Sequence, residues 1–146
     1  MKEIYDFFVA GRTRNKDKIL EICDILDSLN VSYYCFLKNE ESHKEAGLNL
    51  NDKPEDLMKK FESMDLDSEA VKIIFKHDME GLKSSKNLLL VLPAGKSAHI
   101  EAGVSYGLGK KCYAIGEYDV TDSLYLIFDK IFANEKELRD FLKNTR

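Results

Sequence analysis

This chain has no excess of basic charge, few cysteines and no long apolar run, and each of these absences excludes a class of protein. The formal net charge is −4, so we expect no nucleic-acid polymer as a partner, because neutralising phosphates requires a basic surface. Cys23, Cys35 and Cys112 are odd in number and lie in apolar contexts, which indicates reduced thiols rather than a disulfide framework. No apolar run approaches the length of a membrane span. We therefore expect a cytoplasmic protein that does not contact membranes.

Hydrophobic residues are plentiful, and their order predicts the fold. They make up 44% of the 146 residues, and no linker or repeat divides the chain, so we expect residues 1–146 to form a single domain. The expected strands are 4–10, 31–37, 88–92 and 111–115, and the expected helices are 15–29, 54 onward, 68–82, 97–108 and 134–142, with the polar stretch 38–53 the most mobile part. This alternation predicts an α/β fold, a Rossmann-like or flavodoxin-like three-layer sandwich with a mostly parallel sheet.

Gly95, Lys96 and Ser97 match the last letters of a phosphate-binding P-loop, but the first glycine of that motif is missing. The motif GxxxxGK[ST] requires a glycine where this chain has Leu90, inside a predicted strand, so we reject the P-loop. We interpret the stretch as a strand, a turn and a helix capped by Ser97. Ser97 and Glu101 then share one helix face, near a helix N-terminus that favours an anion and an ionised Glu101.

Two turns are expected to meet in one crevice. Gly11 and Arg12 follow the first strand and residues 94–97 follow a later one, and parallel strands present their carboxyl ends at the same edge of the sheet. Arg12, Arg14 and Lys96 would then place positive charge beside Ser97, which suits a 5′-phosphate. Two alternatives stay open from the residues alone: these bases are ordinary solvated surface charges, and Glu101 is an ordinary acid near a helix start.

Two motifs resemble the central motifs of the nucleoside 2-deoxyribosyltransferase superfamily, which includes nucleoside 5′-monophosphate N-glycosidases. They are DMEGL at 78–82 and GKSAHIEAG at 95–103, within an element order that runs from FFVAG at 7–11 to GKKCYAIG at 109–116. The resemblance implies that Glu101 attacks the anomeric carbon of a deoxyribose and that Asp78 holds or protonates the base. The residues expected to bind substrate are Gly11, Arg12, Gly95, Lys96, Ser97, Ala98 and His99.

The chain departs from the deoxyribosyltransferase pattern at two places. The family's tyrosine that steadies the nucleophile matches Phe7 here, and a second acid before the turn at 95–97 is absent. The basic crevice resembles the N-hydrolase branch more closely. We therefore expect cleavage or transfer of the N-glycosidic bond of a nucleoside or nucleoside 5′-monophosphate. The alternatives are a catalytically silent nucleotide-binding or sensing module and a glycohydrolase that acts on a nicotinamide dinucleotide.

Neither a cofactor nor a metal ion is expected. The three histidines, His43, His77 and His99, match no zinc-ligand spacing, and the cysteines lie in predicted core segments. The expected partner is a small nucleoside or nucleotide.

The resemblance also implies a homodimer or larger homo-oligomer. Ala98, Ala102 and Gly103, followed by Tyr106, form a face of small residues that would let a second helix approach closely. The alternative is that this face packs on the chain's own sheet.

Overall fold

A single five-stranded sheet forms the centre of the computed structural model, which describes residues 2–145. Its strands are β1 (Tyr5–Ala10), β2 (Tyr33–Cys35), β3 (Ser85–Val91), β4 (Lys111–Ile115) and β5 (Phe128–Phe132). Every neighbouring pair is parallel, and the spatial order is β2-β1-β3-β4-β5. This order is that of flavodoxin-like folds, and it confirms the predicted α/β class.

Six α-helices connect and cover the strands in the described part of the chain. They are α1 (Lys16–Ser28), α2 (Glu40–Glu45), α3 (Pro54–Glu62), α4 (Glu69–Lys83), α5 (Lys96–Gly107) and α6 (Glu135–Asn144). The predicted start of the last helix at Asn134 is confirmed. The Asn134 side chain accepts a hydrogen bond from the Glu137 N–H at 3.0 Å, and the Glu137 carboxylate accepts one from the Ala133 N–H at 3.2 Å. Within residues 2–145 no helix is both long and apolar enough to cross a bilayer.

The two faces of the sheet carry separate apolar cores because side chains alternate along each strand. On β1, Phe7 and Val9 point to the face covered by α1 and α6, whereas Phe8 and Ala10 point to the face covered by α5 and the end of α4. The chain is thus a three-layer sandwich, as predicted. The three cysteines are buried and unpaired, as their apolar contexts indicated.

The small-residue face of α5 packs mainly on the chain's own sheet. Ala98 and Ala102 are almost fully buried in the same core as Phe8. Gly103 and Tyr106 are exposed on the outside of the helix. The four residues therefore do not form one continuous surface for a second helix.

Three expectations about local structure need correction. Gly95, in an extended conformation, is the N-cap of α5, so Ser97 lies inside the helix and does not cap it. The polar stretch 38–53 contains α2 and buries Leu48 and Leu50, whose apolar side chains anchor it to the core. The strand β5 was not predicted, because in Phe128–Phe132 only the two end residues are buried and the middle ones are exposed or half-buried.

Candidate functional site

A cavity of about 370 Å³ opens at the carboxyl ends of β1 and β3. These strands are adjacent in the sheet, but their connections leave in opposite directions, and such a switch point is where open α/β sheets bind ligands. Residues 11–14, which follow β1, line one side, and residues 95–98, which begin α5, line another. The structure therefore brings together the two turns that the sequence predicted to meet.

The N-terminus of α5 points its backbone donors towards this cavity. Gly95 is the N-cap, and the first backbone hydrogen bond of the helix joins the His99 N–H to the Gly95 carbonyl at 3.3 Å. The N–H groups of Lys96, Ser97 and Ala98 precede that bond, and all three residues line the cavity. Such a helix start is a favourable place for a phosphate or another anion.

Two carboxyl groups face the same cavity from different helices. Asp78 lies on α4 and Glu101 on α5, and both line the cavity wall. Burial and, to a smaller extent, the nearby Asp78 charge together raise the pKa of Glu101 from its usual 4.5 to about 8. Burial also raises the pKa of Asp78 to about 6, against a hydrogen bond from Tyr34 that lowers it. Between these values the pair holds one proton.

The expected ionisation of Glu101 is therefore incorrect. The helix dipole acts within the first turn and contributes roughly 0.3–1 kcal/mol, whereas Glu101 lies in the second turn of α5. A rise in pKa from 4.5 to about 8 corresponds to about 5 kcal/mol against the charged form. Burial decides the proton state, and at pH 7 the Glu101 carboxyl is mostly protonated.

The expected basic cluster is only partly available to a ligand. The Arg14 guanidinium donates to Glu55 at 2.7 Å and to Glu62 at 3.0 Å, and both acids lie on α3. Arg12 and Lys96 also line the cavity, are exposed, and form no ion pair with any residue in 2–145. Two of the three predicted cations are thus available to neutralise an anionic group.

His99 does not reach the cavity. Its Nδ1 donates to the Gly95 carbonyl at 2.7 Å, its Nε2 lies within hydrogen-bond distance of the Tyr125 hydroxyl at 2.8 Å, and the His99 ring stacks on the Tyr125 ring. The histidine joins the start of α5 to the 3-10 turn Ser123–Ile127. The structure gives it a structural contact rather than the substrate contact that the motif suggested.

The match of Phe7 to a tyrosine beside the nucleophile also needs correction. Phe7 lies in the core on the α1 side of the sheet, with its ring centroid 6.0 Å from that of Tyr113. Glu101 lies on α5, on the opposite face. Because a side chain at position 7 points away from α5, a tyrosine there would not contact Glu101.

Several site residues were missed from the sequence. The Tyr34 hydroxyl lies 3.1 Å from Asp78, and the buried His43, whose pKa is lowered by burial, lines the cavity. An apolar wall completes the cavity: Phe36, Leu48, Leu57, Met58, Phe61 and Ile74. The spacing of Leu57, Met58 and Phe61 on α3 was the one available signal, since it indicates an apolar helix face.

No family model matches the chain, and no curated protein matches it in sequence. Among solved structures, the chain is similar to a 2-deoxyribosyltransferase from the psychrotolerant bacterium Bacillus psychrosaccharolyticus, with a TM-score of 0.67 and 15% identity over 92% of this chain and 90% of that one. It is also similar to a conserved protein from Enterococcus faecalis, with a TM-score of 0.59 and 16% identity over 100% of this chain and 99% of that one. The chain therefore shares the fold of a 2-deoxyribosyltransferase.

Proposed function

We propose that this chain belongs to the nucleoside 2-deoxyribosyltransferase superfamily and cleaves or transfers the N-glycosidic bond of a nucleoside or nucleoside 5′-monophosphate. The observation that supports this most is the pairing of Asp78 and Glu101, two carboxyl groups of different proton affinity in one cavity at the switch point of the sheet. Displacement at a sugar carbon uses such a pair, one group as nucleophile and the other as proton donor.

Glu101 is the nucleophile in this proposal. Its carboxylate oxygen attacks C1′ of the sugar as the bond from C1′ to the base nitrogen breaks, and Asp78 gives its proton to the leaving base. A glycosyl ester on Glu101 results. Water or a second base then attacks C1′ and gives its proton to the Asp78 carboxylate, the ester bond breaks, and both the Glu101 carboxylate and the Asp78 acid are restored.

The reactive form of the pair carries one proton, with Glu101 ionised and Asp78 protonated. Without substrate contacts the opposite arrangement dominates, because the pKa of Glu101 is higher than that of Asp78. Both arrangements have the same total charge, so their ratio does not change with pH. The rate therefore follows the abundance of the singly protonated pair.

The cavity lining contains groups that suit both parts of a nucleotide. Phe36 and Phe61 belong to the apolar wall, which offers a flat nucleobase aromatic and aliphatic contacts. Arg12, Lys96 and the start of α5 would neutralise a 5′-phosphate. The preference for a monophosphate rests on this charge distribution.

A panel of deoxynucleosides, their 5′-monophosphates and a nicotinamide dinucleotide tests the proposal, with free base measured by chromatography. We expect base release from one or more mononucleosides or monophosphates and its loss in Glu101→Gln. Glu80→Gln, an exposed change on α4, serves as the control and keeps full activity. Binding across the panel without any base release would favour a catalytically silent nucleotide-binding module. Base release from the dinucleotide alone would favour a glycohydrolase that acts on a nicotinamide dinucleotide.

A further inference from the structure

A chain of two hydrogen bonds reaches Asp78 from behind the cavity wall. The Asn39 side-chain amide donates to the Tyr34 hydroxyl at 3.0 Å, and that hydroxyl donates to Asp78 Oδ1 at 3.1 Å. The Asn39 amide is oriented by its second bond, because its Oδ1 accepts the Ser42 N–H that opens α2, at 3.1 Å. With Asn39 donating to the Tyr34 oxygen, the hydroxyl hydrogen is directed at Asp78.

The Tyr34 ring is fixed in place by close packing. It stacks on Phe8 with a centroid distance of 5.5 Å and an interplanar angle of 9°, and Tyr5 meets it edge-on at 6.0 Å. On α4, a Cβ at Gly81 would lie 2.6–2.8 Å from three ring carbons of Tyr34. The helix that carries Asp78 therefore approaches β2 this closely only because residue 81 is a glycine.

We propose that Tyr34, oriented by Asn39, is a positioning residue that fixes the orientation and proton state of Asp78; this inference rests on the function proposed above. Tyr34 is not among the described residues that line the cavity, so it acts through Asp78 and not on the substrate. Its hydrogen bond occupies Oδ1 of Asp78 and leaves Oδ2 for the base. Because the hydroxyl is a donor, it stabilises the ionised carboxylate and opposes the effect of burial.

Other charged and titratable groups surround Asp78. His77, the preceding residue on α4, favours the ionised form of Asp78, and the Asp78 charge in turn raises the pKa of Glu101 on α5. The remaining titratable groups on the cavity wall are Arg12, Arg14, His43, Glu62 and Lys96. The effect of Tyr34 is therefore measured as a difference between variants in which all these groups are kept.

The test is a direct titration of the Asp78 carboxyl by carbon NMR in the full chain, with its signal identified by loss in Asp78→Asn. Removing the donor in Tyr34→Phe is expected to raise the pKa of Asp78 by roughly one unit. Tyr33→Phe is the matched control, since the neighbouring hydroxyl bonds to Asp27 and Lys38 instead. An unchanged Asp78 titration in Tyr34→Phe, or an equal change in Tyr33→Phe, overturns the inference.

A second variant displaces the ring without removing the hydroxyl. Gly81→Ala is expected to move Tyr34 away from Asp78 and to raise the pKa of Asp78, as Tyr34→Phe does.

In the activity assay, the acidic limb of the kcat/KM profile should move up by roughly one pH unit in Tyr34→Phe, while the alkaline limb, set by Glu101, stays in place. A structural role alone would lower the rate without moving either limb. If the unmodified chain releases no base from any substrate, the proposed function fails, and the NMR titration still decides the role of Tyr34.

Discussion

Replacing Glu101 by glutamine should make the protein more stable, and the gain should grow with pH. The Glu101 carboxyl has a pKa of about 8 in the folded chain and about 4.5 when unfolded. Below pH 4.5 the carboxyl is protonated in both the folded and the unfolded chain, so its ionisation does not affect the free energy of unfolding. As the pH rises towards 8, only the unfolded state loses its proton, so the wild-type chain is progressively destabilised relative to a chain with a neutral side chain here.

The size of the effect follows from the difference between the two pKa values. Each pH unit between 4.5 and 8 changes the free energy of unfolding by about 1.4 kcal/mol. Glu101→Gln should therefore be more stable than wild type by about 3 kcal/mol at pH 7 and by about 5 kcal/mol above pH 8, with almost no difference at pH 4. Asp78 is present in both proteins, so its own titration largely cancels.

Urea unfolding followed by circular dichroism at pH 4, 5.5, 7 and 8.5 measures this difference. Glu80→Gln is the control, and as an exposed change it should stay within about 0.5 kcal/mol of wild type at every pH. A Glu101→Gln variant that is less stable than wild type, or a difference that does not grow with pH, would refute the assignment of a partly buried Glu101 that holds its proton.

Three further predictions concern activity and assembly. The kcat/KM profile should be bell-shaped with limits near pH 6 and pH 8, set by Asp78 and Glu101, and a rate that rises steadily to pH 9.5 would contradict a one-proton reactive pair. Monophosphates should be preferred to nucleosides, and this preference should weaken with salt. Arg12→Gln or Lys96→Gln should each reduce the preference for monophosphates by about tenfold. Equal kcat/KM for a nucleoside and its monophosphate would remove the case for a phosphate site. Sedimentation across a dilution series should show a homodimer or larger symmetric oligomer, and a fully active monomer at all concentrations would exclude it.

The sheet and the location of the cavity followed from patterns that are local in the sequence. The apolar run 88–92 and the residues around Phe8 are short and bounded by turns, so they predicted the central strands. Parallel strands then required the turns at 11–14 and 95–98 to meet. The fifth strand lacked that pattern, because only Phe128 and Phe132 are buried in it.

The chemistry of the site depended on tertiary structure that the sequence does not show. The proton on Glu101 results from burial, which outweighs the helix dipole. Tyr34 reaches Asp78 because β2 pairs with β1 in a register that places Tyr34 beside Phe8. Neither the strand order nor this register can be predicted from the spacing of residues in the sequence. Arg14 was expected in the phosphate site, but two acids on α3, more than 40 positions away, hold it.

The central claim is that Glu101 forms a covalent bond to the sugar, and mass spectrometry of the acid-quenched protein tests it most directly. The chain is incubated with a deoxynucleoside or monophosphate from which it releases base, quenched within the first turnovers, and digested. We expect a peptide containing Glu101 whose mass has increased by the sugar or sugar phosphate, and no such peptide from Glu101→Gln. Base release at the wild-type rate by Glu101→Gln, with no modified peptide from either protein, would contradict the account.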